Sequence, residues 1–396
     1  MKRPFLKQVW RRAGMTFAAL VLSVSAAVAD DQAFSKWFKY GADIASAWTV
    51  EGDASRPLEV AVKPKTGVGP KKRIMVFYPR ASSAYDIAIS VILRVFANKE
   101  INAEFSIVNF EMDGPKGDAA VRAAEQNEVD LIFAMGSESA AWLEQKYRGG
   151  RIPVVTVCSK DPVQLGQIKD YESGSESNFA FTSLNVPVDV QMAYVRDLRP
   201  QLKNITILVD SKNVSAVQTQ AEPIANYAYA HGINVIFGSV EDPSAARAEL
   251  AKIVPAAVQT MRKTDPELKD SLFWVTGSTS VFREIKAINK FSGHVPVVSV
   301  VPEIVTAGED TAVLAIGISF ESNARLAAIY GAQVLNGKPP GTLKVGVVTP
   351  PDVAISFLKA REIGMQIPFS FFEIANFVYD YQGQAVRAVK NELPTN

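Results

Sequence analysis

A chain that does covalent chemistry needs a nucleophile with a base in reach, and the 396 residues hold few candidates. Cys158 is the only cysteine and stands where the apolar run "IPVVTVC" opens into the polar turn "SKDPVQLG". The only two histidines are poorly placed to activate it. His231 lies beside the glycine of "YAHGIN" that ends a helical pattern, where a cation at a helix C-terminus is routine. His294 lies in the turn "SGHVP". Cys158 therefore reads as a small buried residue at a strand end. Metal chemistry lacks a Cys or His pair at ligand spacing. "TGVGPKK" lacks the Walker spacing and follows no strand, and "GSTS" has no lysine, so no cofactor is expected.

What the chain does offer is hydroxyls. Six segments follow apolar strands: "YPRASSAYD", "MGSES", "CSKDP", "VDSKNVS", "VTGSTS" and "VVPEIV", and five of them carry Ser or Thr. Taken singly, each hydroxyl suits a helix N-cap. Facing one another on two lobes, they would line a polar cleft at the carboxyl ends of parallel strands. The candidate ligand-binding residues are Ser82, Ser83, Tyr85, Ser137, Ser139, Ser159, Asp161, Asp210, Ser215, Ser278, Thr279 and Glu303. Ser137 and Ser139, with Ser278 and Thr279, would place helix N-termini toward a carboxylate, and Tyr85 would lend an aromatic face. Glu303 would take an ammonium, and it is also the best single residue for a rival enzyme reading. The expected protein is not an enzyme.

The elements that position these loops repeat. "RIMVFYP", "AEFSIVNF", "VDLIFAM" and "IPVVTVC" are near-continuous apolar strands alternating with amphipathic helices. "NITILVD", "INVIFGSV", "SLFWVTG" and "VPVVSV" repeat the scheme, with "SAVQTQAEPIANYAYAHG", a helix that Pro255 can kink, and "STSVFREIKAINKF" between them. The fold class is α/β: two doubly wound Rossmann-like lobes. "FAFTSLNVP", "AVLAIGISF" and "LKVGVVTPP" are three extended crossings that make a hinge. Expected boundaries are 1–29 for a signal peptide and 30–72 for an extension with a short aromatic helix and a Pro/Gly/Lys linker. Lobe 1 takes 73–184 plus 312–340, and lobe 2 takes 185–311 plus 341–396.

Residues 1–29 combine Lys2, Arg3, Lys7, Arg11 and Arg12 with the apolar "MTFAALVLSVSAAV" and the small-x-small Ala27-Val28-Ala29, a secretory signal. Without those five cations the formal net charge of +1 becomes about −4, which argues against nucleic acid as partner. No cysteine stands at the cleavage point for lipid attachment, so a protein soluble in a bacterial periplasm is expected.

The segments "VDLIFAMGSESAAW", "IPVVTVCSKDPVQLG", "IVTAGEDTAVLAIGISFESNARLAA" and "VLNGKPPGTLKVGVVTPPDVAISFLKAREIGMQIP" resemble, in order and spacing, the ABC-transporter substrate-binding family. The resemblance is to the branch with aromatic amino acid binders on a type I periplasmic binding fold, and it runs from about Arg73 to Pro368. It implies a periplasmic solute-binding protein that closes like a Venus flytrap on a small carboxylate-bearing ligand, such as an aromatic amino acid. The partner would be an inner-membrane ABC permease, or a signalling membrane protein if the receptor is a sensor. The chain departs from the family pattern at Thr276-Gly277-Ser278-Thr279, at Val300-Val301-Pro302-Glu303 and at Val214-Ser215, where acids or Asn are usual. These departures put the amino-acid ligand in question and leave the fold untouched.

Overall fold

A computed structural model describes residues 34–387. The signal-peptide reading lies outside the described residues. Strands β1 (Trp48–Gly52) and β2 (Glu59–Pro64) open the chain, followed by β3 (Lys72–Tyr78), α1 (Ser83–Asn98) and β4 (Ala103–Asn109). Next come α2 (Gly114–Gln126), β5 (Leu131–Met135), α3 (Gly136–Tyr147), β6 (Val154–Val157), β7 (Phe179–Ala180) and β8 (Thr182–Ser183). The first sheet has the order β1-β2-β4-β3-β5-β6-β7. From β4 to β7 its ladders are parallel, as the unbroken apolar runs require when helices cover both faces.

The second sheet follows α4 (Val188–Leu198) and begins with β9 (Asn204–Asp210). A helical stretch comes next, made of α5 (Val214–Ala216), a π-helical turn at Val217–Ala221 and α6 (Glu222–Ala230). Then follow β10 (Asn234–Val240), α7 (Ala246–Met261), β11 (Ser271–Val275), α8 (Thr279–Phe282), α9 (Ile285–Ser292), β12 (Val297–Ser299) and β13 (Leu314–Gly317). The chain ends with α10 (Phe320–Leu335), β14 (Gly346–Val347), β15 (Asp352–Ser356), α11 (Phe357–Glu362), α12 (Phe369–Ile374), β16 (Phe377–Tyr379) and β17 (Ala385–Arg387). The sheet order is β10-β9-β11-β12-β13-β15-β16-β17, parallel up to β13 and antiparallel at β15.

Three expectations need correction. Over its described residues, the stretch expected at 30–72 is more than an appended helix and linker: besides a 3-10 helix at Ala42–Ser46 it holds β1 and β2, which pair antiparallel and extend the first sheet through β4. Alternating burial along "EVAVKP" fits a half-covered strand, a period too short to stand out beside the Pro and Lys residues that follow. The boundary at 312 falls too early, because β13 pairs with β12 and β15 in the second sheet and the chain crosses only after Gly317. A Cβ on Gly317 would meet the Val300 carbonyl at 1.8 Å, so glycine lets the two backbones pass. Finally, the helix expected over "STSVFREIKAINKF" breaks between Phe282 and Ile285 into α8 and α9.

The hinge is tied by hydrogen bonds. β14 pairs in parallel with β8, so two of the three crossings lie side by side. Pro223 has no N–H to offer the Thr219 carbonyl four residues back, and Asn185 Nδ2 takes that carbonyl at 2.6 Å. Asn185 Oδ1 accepts from the Asp161 amide at 3.3 Å, linking both lobes to one crossing.

The opening segment also supports the site. Phe34, Trp37 and Phe38 are buried, and Trp37 and Phe38 pack on Tyr78 at the end of β3. Tyr78 donates its hydroxyl to the Tyr85 carbonyl at 3.1 Å, and the two rings meet edge to face at 5.4 Å. Phe38→Ala should therefore destabilise the protein by about 3–5 kcal/mol in urea unfolding, as for a large core truncation. A loss below about 1 kcal/mol would mean that the segment is a mere appendage.

Candidate functional site

β6 ends in a left-handed turn at Cys158 (φ 53°), a conformation costly for a residue with a Cβ. Asn323, fully buried on α10, holds it: Oδ1 accepts the Cys158 amide at 2.7 Å and the Thr182 hydroxyl at 3.3 Å, while Nδ2 donates to the Ser183 carbonyl at 3.1 Å. The turn sends the Lys160 side chain toward the other lobe, with Nζ 3.5 Å from the Gly277 carbonyl. The Ser159 carbonyl accepts from Leu184 N at 2.8 Å, and Lys160 N donates to Ser137 Oγ at 2.9 Å.

Beyond this turn lies a cavity of about 440 Å³, enclosed by strand-end loops of both sheets. The first lobe lines it with Arg80, Ser82, Tyr85, Gly136, Ser137, Glu138, Cys158, Lys160 and Phe320. Asp210, Lys212, Ser215, Gly277, Thr279, Phe282 and Arg283 line it from the second. Gly136 (φ 75°) brings the first-lobe wall together, since a Cβ there would sit 2.0 Å from Tyr85 Oη. Phe282 and Phe320 face each other across the cleft, with ring centroids 6.1 Å apart.

Of the twelve residues read from sequence, Ser82, Tyr85, Ser137, Asp210, Ser215 and Thr279 line this cavity. Ser82 is also the N-cap of α1, accepting from Ala84 N at 3.3 Å. Ser83 borders a second cavity instead. Ser139 Oγ is spent on the Phe77 carbonyl at 2.9 Å, and Ser278 Oγ accepts Asp210 N at 3.3 Å. Ser159 Oγ is buried without a partner. Asp161 shapes its loop, accepting from Val163 N at 2.9 Å, Gln164 N at 3.1 Å and Tyr171 Oη at 2.5 Å. The N-terminal charge expected of a long helix after Ser278 is weak, because α8 has four residues.

Glu303 lies outside the ligand cavity. Its Oε1 accepts the first amide of α10, Phe320 N, at 2.5 Å, and Oε2 is buried without a partner. It borders the second cavity, about 570 Å³, beside Asp86 and the Lys39–Gly41 stretch. Burial pushes its carboxyl up to about 8, with Asp352 and Glu321 adding repulsion. Burial likewise raises Asp86 to about 6.

The same loops carry cations as well as hydroxyls. Arg80, Lys160, Lys212 and Arg283 all line the ligand cavity, against the two carboxylates of Glu138 and Asp210. Arg80 and Glu138 form an ion pair. Lys160 is 7% exposed, and burial lowers its pKa. Lys160 sits inside "CSKDP", between the candidate residues Ser159 and Asp161, so the sequence carries a signal for it.

Cys158 and the two histidines do not come together as a nucleophile–base pair. Burial pushes the Cys158 thiol well above its ordinary range, while both His231 and His294 are exposed and neither lines the cavity. His231 stacks on Tyr227 and contacts its carbonyl at 2.8 Å.

Residues 97–378 match the model of a family described as ABC transporter substrate binding protein. The chain belongs to that family. Among solved structures it is similar to a conserved domain protein from Vibrio cholerae (19% identity, TM-score 0.62), covering 78% of this chain and 99% of that one. It is also similar to an ABC domain from Streptococcus pneumonia in complex with L-Trp (20% identity, TM-score 0.61, covering 78% and 100%). A third is the ligand-free, open form of CD0873, a substrate-binding protein with adhesive properties from Clostridium difficile (18% identity, TM-score 0.56, covering 76% and 96%). Comparison with curated proteins gives no match. The fold is the two-lobed type I periplasmic binding fold, and the chain is a substrate-binding protein of an ABC transporter.

Two expectations test this geometry. Cys158→Ala should cost at most about 1–2 kcal/mol, and the native thiol should resist a disulfide reagent until the protein unfolds. Rapid labelling of the folded protein would restore Cys158 as a reactive group. Glu303 carries a proton in the fold that the unfolded chain releases near its ordinary 4.5. Its contribution to stability should therefore be fully present below about pH 4.5, be lost as pH rises toward about 8, and stay lost above. Asp86 adds the same sign between 3.8 and about 6. Urea midpoints of Glu303→Gln, relative to the wild type, should improve from pH 5 to pH 8, and a gap that ignores pH would refute the buried carboxyl.

Proposed function

We propose that this protein is the extracytoplasmic receptor of an ABC importer, released after cleavage behind Ala29. It closes its two lobes on a small, carboxylate-bearing, planar solute and hands it unchanged to an inner-membrane permease. The observation that carries this reading is the cavity at the carboxyl ends of both sheets, lined by named side chains from each lobe. A site split between two bodies can be complete only when they meet, so a ligand that touches both favours the closed state by its extra contacts there. The lining supports the ligand class: Tyr85, Phe282 and Phe320 provide flat apolar walls, and cations outnumber carboxylates. One structural relative was solved with L-Trp, a carboxylate that carries a planar ring. With the thiol neutral and no histidine in the cavity, binding without chemistry is the activity the residues support.

Small-angle scattering checks it. A saturating ligand, found by thermal shift and stabilising by about 2.7 kcal/mol at a hundred times its Kd, should reduce the radius of gyration. A ligand that binds tightly and leaves the radius unchanged would sink the closure mechanism.

A further inference from the structure

Among the charged groups facing the cavity, two are at least nine-tenths buried: Lys160 on the first lobe and Asp210 on the second. Their situations differ. Asp210 is provided for by its own lobe, with Oδ2 accepting the Ser280 hydroxyl at 2.7 Å and Oδ1 the Lys212 amide at 2.9 Å. The Lys212 and Arg283 side chains line the same space. Lys160 has no such provision. Among the described residues its ammonium is in no ion pair, and its one hydrogen bond is a long 3.5 Å contact to the Gly277 carbonyl across the cleft. That approach depends on glycine, since a Cβ at 277 would stand 2.7 Å from Nζ. An ammonium with three donors, buried and almost unpaired, is costly unless an anion arrives. The nearby carboxylate of Glu138 is held by Arg80.

We propose that Lys160 is the ligand's anchor: its Nζ takes the solute's carboxylate between Ser137 and Gly277, and the solute is an organic acid without an amine. This rests on the receptor reading above and narrows it. The cavity needs a negative charge and does not need a positive one. An added ammonium at Asp210 would compete with donors already in place and would face Lys212 and Arg283. Because Lys160 springs from the first lobe and touches the second, the bound carboxylate also links ligand charge to lobe closure. Glu303, the residue that would otherwise favour an amine, is engaged at the start of α10 and lines another cavity.

The test uses three probes of one skeleton on the full mature chain: 3-phenylpropanoate, phenylalanine and 3-phenylpropanamide. Calorimetry should find the acid at least about tenfold tighter than the amino acid or the amide, the usual scale for a charge-assisted hydrogen bond. Lys160→Gln should lose about tenfold or more for the acid and leave the empty protein as stable as before or more so. A measurement independent of that variant is the titration of Lys160 followed by NMR of lysine side-chain carbons. Its midpoint should move to higher pH when the acid is added. Phenylalanine binding as tightly as the acid, an amide as good as the acid, a flat response to all three, or an unmoved lysine midpoint would each overturn the assignment. A neutral solute that binds and shrinks the radius of gyration would leave the receptor standing while this anchor falls.

Discussion

A single buried amide, Asn323, sets the geometry on which the ligand cleft depends. Its oxygen holds the Cys158 amide and its nitrogen holds the Ser183 carbonyl, so one side chain fixes both the end of β6 and the start of the hinge. Cys158 would not rest in the left-handed region without such a partner. Without that turn the chain would continue as strand, and Lys160 would not face the second lobe. The lone cysteine thus acts through its backbone, while its sulfur contributes packing.

The rest of the cleft follows from unequal bookkeeping of charge. In the second lobe Asp210 is matched by a hydroxyl and an amide supplied by neighbouring residues. In the first, Arg80 and Glu138 satisfy one another. Only Lys160 is left with its charge buried and its donors nearly idle. A binding protein gains specificity by leaving one polar group unsatisfied in the empty state, because a ligand lacking the matching group then restores nothing.

Much of the fold was legible in the sequence. Unbroken apolar strands such as "SLFWV" and "NITILVD" lie wholly buried in parallel ladders, and their order reproduces two lobes. The site was half legible. The strand-end loops follow from where the apolar runs stop, yet the number of hydroxyls in a loop does not say which face the cavity. Ser139 and Ser278 are spent on backbone partners that only tertiary structure reveals. Glu303 misled for the same reason, as an acid in the matching loop whose carboxyl is drawn to the α10 amide. Asn323 and Asn185 carried no sequence signal, being polar residues 138 positions apart whose partners lie on other elements. The strands at 48–64 were hidden because a two-strand antiparallel edge has little periodicity to read.

The discontinuity of the first lobe has a consequence for the order of assembly. Its sheet is complete by Ala180, but α1 remains uncovered on the side where α10 packs. That helix is encoded at Phe320–Leu335, after five strands of the second sheet have been made. Until those residues exist, α1 has only the sheet side of its buried surface covered, where Phe96 meets Phe105 and Phe133. Contacts spanning more than 220 residues are slow to close, since loop-closure entropy is lost before they reward the chain. Both lobes are closed by late segments, α10 for the first and β15, Phe371 and Val378 for the second, so a nascent chain of this protein stays incompletely folded until it is nearly full length.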